Sequence, residues 1–164
     1  MSEHSHAAVL SVFADIVTEH IGALRDALAR LARPGASDED LHQFRVTLRR
    51  LRSAWVTFAP VLPRNLVAEW KPRLRTLAAS TGPVREWDVL LLDWLPSAQK
   101  CLAERDEAGL QWVEAAIRQV TRERDSAWRS LHADLISPDV MSDLAMLEDA
   151  VAPLRREDKR AARM

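Results

Sequence analysis

With 164 residues and a mass of 18.5 kDa, the chain is of single-domain size and long enough to bury one core. Apolar residues at 48%, charged residues at 29%, only 4 Gly and no Tyr suit a soluble globular protein and argue against a turn-rich β sandwich or barrel. The single cysteine, Cys101, excludes an internal disulfide framework and a Cys-rich zinc site, while 23 Lys+Arg against 24 Asp+Glu leave a net charge of -1 that names no partner.

The N-terminus, Ser2-Glu3-His4-Ser5, lacks a basic-then-apolar leader pattern, and no uninterrupted apolar run approaches the roughly 18 residues of a membrane span. A soluble, cytoplasmic protein without a membrane partner is expected. From Ala7 to Leu31 the residues Val9, Phe13, Ile16, Val17, Leu24, Leu28 and Leu31 recur at a helical period. Pro34-Gly35 breaks the chain, and Ser37 caps a second helix whose first turn carries Asp38, Glu39 and Asp40. That helix should run to about Phe58 and stop near Pro60 and Pro63. Leu66, Trp70, Leu74 and Leu77 mark a third, which Pro72 should kink or delay. Gly82-Pro83 restarts the chain for a fourth helix from Val84 to Leu95, with Pro96 placed to bend or end it.

A long helix is expected from Glu104 to Leu135, its seam Leu110, Val113, Ile117, Val120, Ala127, Leu131 and Leu135 interrupted by Arg124. Ser137-Pro138 opens a last helix through Val140, Leu144, Leu147 and Val151, ended by Pro153. The basic tail beyond it, residues 154–164, should be frayed and disordered. Nothing alternates with period two, so the expected fold is all-α, an antiparallel helical bundle. The six Trp, at 55, 70, 87, 94, 112 and 128, mostly continue apolar stripes and are expected in the core.

Charge is segregated along the chain. Residues 1–41 hold three bases and seven acids, and residues 86–164 hold 11 bases and 16 acids. Residues 42–85 hold nine bases against Glu69 alone, a local charge of +8. At about 100° per residue, His42, Arg45, Arg49 and Arg52 fall within an arc of roughly 80°, next to the apolar stripe of Leu41, Phe44, Leu48, Leu51, Trp55 and Phe58. Arg50 points elsewhere. Neighbours on such a row lie about 5–6 Å apart and repel. Either the acidic flanks fold over the row, or an external polyanion does. Arg64, Lys71 and Arg75 share a side of the third helix, so the two helices together could form a basic trough. Arginine forks there would grip phosphate oxygens in pairs.

The run His42-Gln43-Phe44-Arg45-Val46-Thr47-Leu48-Arg49-Arg50-Leu51-Arg52 resembles the signature of the CHAD family, the conserved histidine α-helical domain. Gly82-Pro83-Val84-Arg85-Glu86-Trp87-Asp88-Val89-Leu90 resembles that family's Gly-x-x-Arg-Asp-x-Asp-Val element, with Glu86 where Asp is usual. The resemblance spans about residues 7–152. It implies one CHAD-like helical domain over residues 1–153, a four-helix repeat plus flanking C-terminal helices, that binds inorganic polyphosphate without catalysis and without a cofactor. It carries over His42, Arg45, Arg49, Arg50, Arg52 and Arg85 as ligand-facing residues, with Asp88 as companion to Arg85; Lys71 and Arg75 join them from the trough. Association with polyphosphate granules is a further implication. The family usually has two such repeats, and only one is present here, so a homodimer completing the basic channel is expected.

Other readings stay open. A basic helix also suits nucleic acid, although single-strand binders need exposed aromatics, and those of this chain are expected in the core. A structural, degenerate half-domain that merely dimerises is another, as is an accessory to a phosphate-processing enzyme. An enzyme proper is disfavoured: there is no Gly-rich phosphate loop, no His-Glu-x-x-His and no Ser nucleophile elbow. His42 lacks a second ligand on its face and is not expected to bind metal.

Overall fold

Amphipathic stripes up to about eight turns long must find apolar partners, and the chain supplies them by folding the first and last helices together. The structure, a computed structural model, describes the backbone of residues 3–103 and 106–161 and the side chains of 5–103 and 106–155. Among these residues there is no strand. The elements are α1 (Glu3–Leu31), α2 (Asp38–Phe58), α3 (Arg64–Ser80), α4 (Gly82–Val89), a π-helical turn (Leu90–Trp94), α5 (Leu95–Leu102), α6 (Glu107–Leu135) and α7 (Pro138–Ala161). The expected all-α bundle is the fold.

Two compact units divide the chain, one from residues 1–78 and 135–164, the other from residues 79–134. In the first, α1 packs against both α2 and α7. Its four helices are therefore α1, α2, α3 and α7; the C-terminal helix expected to flank the bundle is one of its members. Phe13, Ala14, Val17, Ile21 and Leu24 of α1 are fully buried, as are Phe44, Leu51 and Trp55 of α2 and Leu147 and Val151 of α7. Phe13 lies edge-on to Trp55 at 5.2 Å and tilted to Phe58 at 5.3 Å. Ion pairs tie the same helices at the rim: Arg25 to Glu148 at 2.6 Å, Arg155 to Asp15 at 2.7 Å and Arg73 to Asp143 at 3.3 Å. By length and composition alone α1 is long and apolar enough to cross a membrane, an 18-residue window within Ser5–Leu31 reaching a mean hydropathy of 1.5, where no such segment was expected; a buried core helix passes the same test. Its buried stripe is used against α2 and α7.

The expected helix starts hold where capping chemistry is local. Ser37 accepts a hydrogen bond from the Asp40 backbone N–H, and the Asp40 carboxylate accepts one from the Ser37 N–H, a reciprocal capping box. The Ser37 backbone N–H and hydroxyl, both donating to the Asp40 carboxylate, and Arg30 at 3.4 Å hold that carboxyl below its ordinary 3.8. Gly35, with φ of 81°, makes the left-handed turn between α1 and α2.

Two prolines do not end their helices. Pro72 lies inside α3, and Pro153 lies inside α7, which continues to Ala161. Each leaves one carbonyl without its donor, on Ala68 and Asp149. Those residues and both prolines are exposed, so water takes the lost bond's place. The tail expected to fray from 154 begins instead with Leu154, 5% exposed, and Arg155, paired to Asp15; residues 162–164 lie outside the described part.

The second unit is α4, the π turn, α5 and α6. Pro96 has no N–H to give, and the helix widens just before it, where the Leu95 N–H donates to the Leu90 carbonyl. Half-buried Arg124 of α6 donates to Asp88 of α4 at 3.1 Å and lies 5.4 Å over the Trp128 ring. Asp88 thus serves Arg124 and not Arg85, the companion the family resemblance had assigned it. The interruption of the α6 seam is a paired charge.

Candidate functional site: a basic face on α2 and α3

Helical spacing fixes which cations of α2 and α3 share a side. On α2 the buried stripe is Leu41, Phe44, Leu48, Leu51 and Trp55, as its sequence periodicity indicated. The row beside it is mostly open: His42, Arg49 and Arg52 are exposed, whereas Arg45 is half-buried and engaged with its own surroundings. Arg50 is exposed on another side of the helix. From His42 to Arg52 the row is about 15 Å long at 1.5 Å per residue.

Residues 59–63 return the chain into α3, whose core stripe is Leu66, Trp70 and Leu74. Arg64, Lys71 and Arg75 are exposed on one side; Arg73 is about 180° around the helix from Arg64. The contrast between these cations is informative. Arg73 is neutralised by Glu69 at 3.7 Å and Asp143 at 3.3 Å, and its guanidinium covers the Trp70 ring at 4.9 Å. Among the described residues, no carboxylate lies in ion-pair range of Arg49, Arg50, Arg52, Arg64, Lys71, Arg75 or Arg85, and two acids of α7, Asp143 and Glu148, pair with Arg73 and Arg25. At Arg49 and Arg52 of the row, the acidic flanks do not fold over the cations among the described residues.

The rows meet at a cleft. Arg52, Trp55 and Val56 of α2 and Lys71, Leu74 and Arg75 of α3 line an open cavity of ≈ 100 Å³. It gathers three of the sequence-expected site residues. His42, Arg45, Arg49 and Arg50 lie along α2 outside its lining, and Arg85 is exposed on α4 in the other unit. Sequence reasoning missed the apolar lining. Val56 carried a signal: it continues the Arg45–Arg49–Arg52 stripe, where an apolar residue has no reason to be solvated, and it is 61% exposed. Trp55, in the cleft lining, and Trp70 are both buried, each with an indole N–H that has no acceptor among the described residues.

Over residues 8–164 the chain matches the CHAD domain family. The chain belongs to the CHAD family. That family is associated with polyphosphate binding and with triphosphate-tunnel-related proteins. No curated protein and no solved structure matches the chain. The CHAD resemblance carried by the His42–Arg52 run and the Gly82–Leu90 element therefore stands for essentially the whole chain.

Side chains of the kind gathered on this face are chemically suited to anions. Among the described residues no three or more His, Cys, Asp or Glu are grouped to hold a metal ion. Guanidinium and ammonium groups side by side bind phosphate oxygens through charge-assisted hydrogen bonds, Arg with its planar fork and Lys as a point charge.

Proposed function

We propose that this CHAD domain binds inorganic polyphosphate through the basic face of α2 and α3, without catalysing its turnover. One observation supports it above the rest: Arg49, Arg52, Lys71 and Arg75 are open to solvent without a carboxylate partner among the described residues, while neighbouring Arg73 is neutralised. Packing like charges side by side costs stability, and a chain of phosphates is the ligand that offsets it along the length of two helices. His42, Arg45, Arg50 and Arg85 complete the set proposed to face ligand.

Competition between long-chain polyphosphate and duplex DNA of matched charge tests this reading. Polyphosphate is expected to win, and an Arg49→Glu/Arg52→Glu variant with a wild-type circular dichroism spectrum is expected to lose at least tenfold in affinity, two reversed charges at short range being worth that much. Equal or tighter DNA binding would favour a nucleic-acid protein, and wild-type affinity in the variant would remove these residues from the site. Orthophosphate release in the presence of magnesium would contradict the absence of catalysis. A homodimer that completes the basic channel belongs to the same proposal, and light scattering with and without ligand reads it.

A further inference from the structure

The cations of this face are distributed unevenly, and the unevenness distinguishes two kinds of phosphate. His42 and Arg49 stand on an open helix surface, where a passing chain meets them one at a time. Arg52, Lys71 and Arg75 line a single cavity. That cavity is small, ≈ 100 Å³, and sets the three cations around one shared space. The remaining lining, Trp55, Val56 and Leu74, offers the anion no competing acceptor, and Trp55 and Leu74 are buried at 1% and 4% exposure. A wall of this kind lowers the local dielectric and strengthens each charged contact.

An internal unit of a linear polyphosphate has two non-bridging oxygens and one negative charge. A terminal unit has three non-bridging oxygens and, like a phosphate monoester with a second pKa near 6, carries about -1.5 to -2 at neutral pH. Three cationic side chains around one pocket match three oxygens and the added charge. The open row matches the singly charged interior. We propose that the cleft is a chain-end subsite, holding the terminal phosphoryl group of linear polyphosphate in preference to internal units, an assignment that rests on the polyphosphate reading above.

Calorimetric titration at pH 7.5 and low salt with linear tripolyphosphate and with cyclic trimetaphosphate, which has no end, tests it. Wild-type protein is expected to prefer the linear ligand by about tenfold or more. In a Lys71→Ala/Arg75→Ala variant that preference should fall below about threefold, whereas Arg49→Ala/Arg50→Ala should weaken both ligands and keep it. All four side chains are exposed, so both variants should fold, and circular dichroism verifies it. A preference that persists in the cleft variant, or disappears equally in both variants, overturns the subsite. So does a wild-type protein that binds long polyphosphate yet treats the linear and cyclic ligands alike. Failure to bind long polyphosphate at all would instead overturn the polyphosphate reading itself.

Discussion

The two units of this chain differ in how much of their apolar surface they bury. Among the described residues, the buried apolar side chains of 79–134 are Val84, Val113 and Leu131, and the others belong to the unit of residues 1–78 and 135–164. The three most exposed large hydrophobics, Leu92 at 70%, Trp94 at 68% and Trp112 at 71%, all fall in residues 79–134. The first unit is a dense core carrying an uncompensated basic face. The second has little core and holds α4 to α6 by a half-buried ion pair. The face proposed to bind ligand thus belongs to the unit with the dense core.

The sharpest way to break this comparison is to truncate one aromatic in each unit. Phe13→Ala should cost about 3–5 kcal/mol in urea unfolding, a large part of a typical domain's stability, because it empties the centre of the α1–α2–α7 core. Trp112→Ala should stay within about 0.5 kcal/mol. Similar losses in both variants would show that the second unit has a core of its own.

The next largest effect separates packing from charge. Arg124→Ala strands Asp88 in a half-buried position, 20% exposed, and should cost about 1–2 kcal/mol after allowance for solvent screening. The double variant with Asp88→Ala should recover part of it. A loss no larger than that of a surface residue would mean the pair does not hold α4 to α6.

The periodicity of the sequence made the helices, the α2 stripes and the capping box of Ser37 and Asp40 legible, since each is settled within one or two turns. Pro72 was expected to kink or delay α3, which starts at Arg64 and runs on through it; Pro153 was expected to end its helix and does not, the carbonyl it orphans lying on exposed Asp149. Trp94 and Trp112 were expected in the core: a stripe shows that a side chain could be buried, and only the presence of a partner helix decides that it is. The grouping of α7 with α1 and the apolar lining of the cleft are tertiary as well. The cation-rich segment was fully legible; the partner of Asp88 was not, because a family motif names residue types and leaves the pairing to the fold.

The smallest expected effect is at the α1–α2 junction. The lowered Asp40 carboxyl contributes stability that is present in full well above the ordinary value of 3.8 and is lost as pH falls below it toward the folded value. Acidification should therefore loosen the start of α2 first, seen as faster amide exchange at Asp40 with the core amides of Phe44 and Leu48 still protected. Simultaneous loss of protection along all of α2 would assign the cap no separate role.

Counterion release tests the central claim most directly, because an uncompensated cationic face must show it. By analogy with nucleic-acid polyanions, the logarithm of polyphosphate affinity should fall linearly with the logarithm of salt, by roughly one for each cation engaged, and the slope should become shallower by about two in Arg49→Glu/Arg52→Glu. An affinity indifferent to salt, or a slope that the double reversal leaves unchanged, would contradict the account.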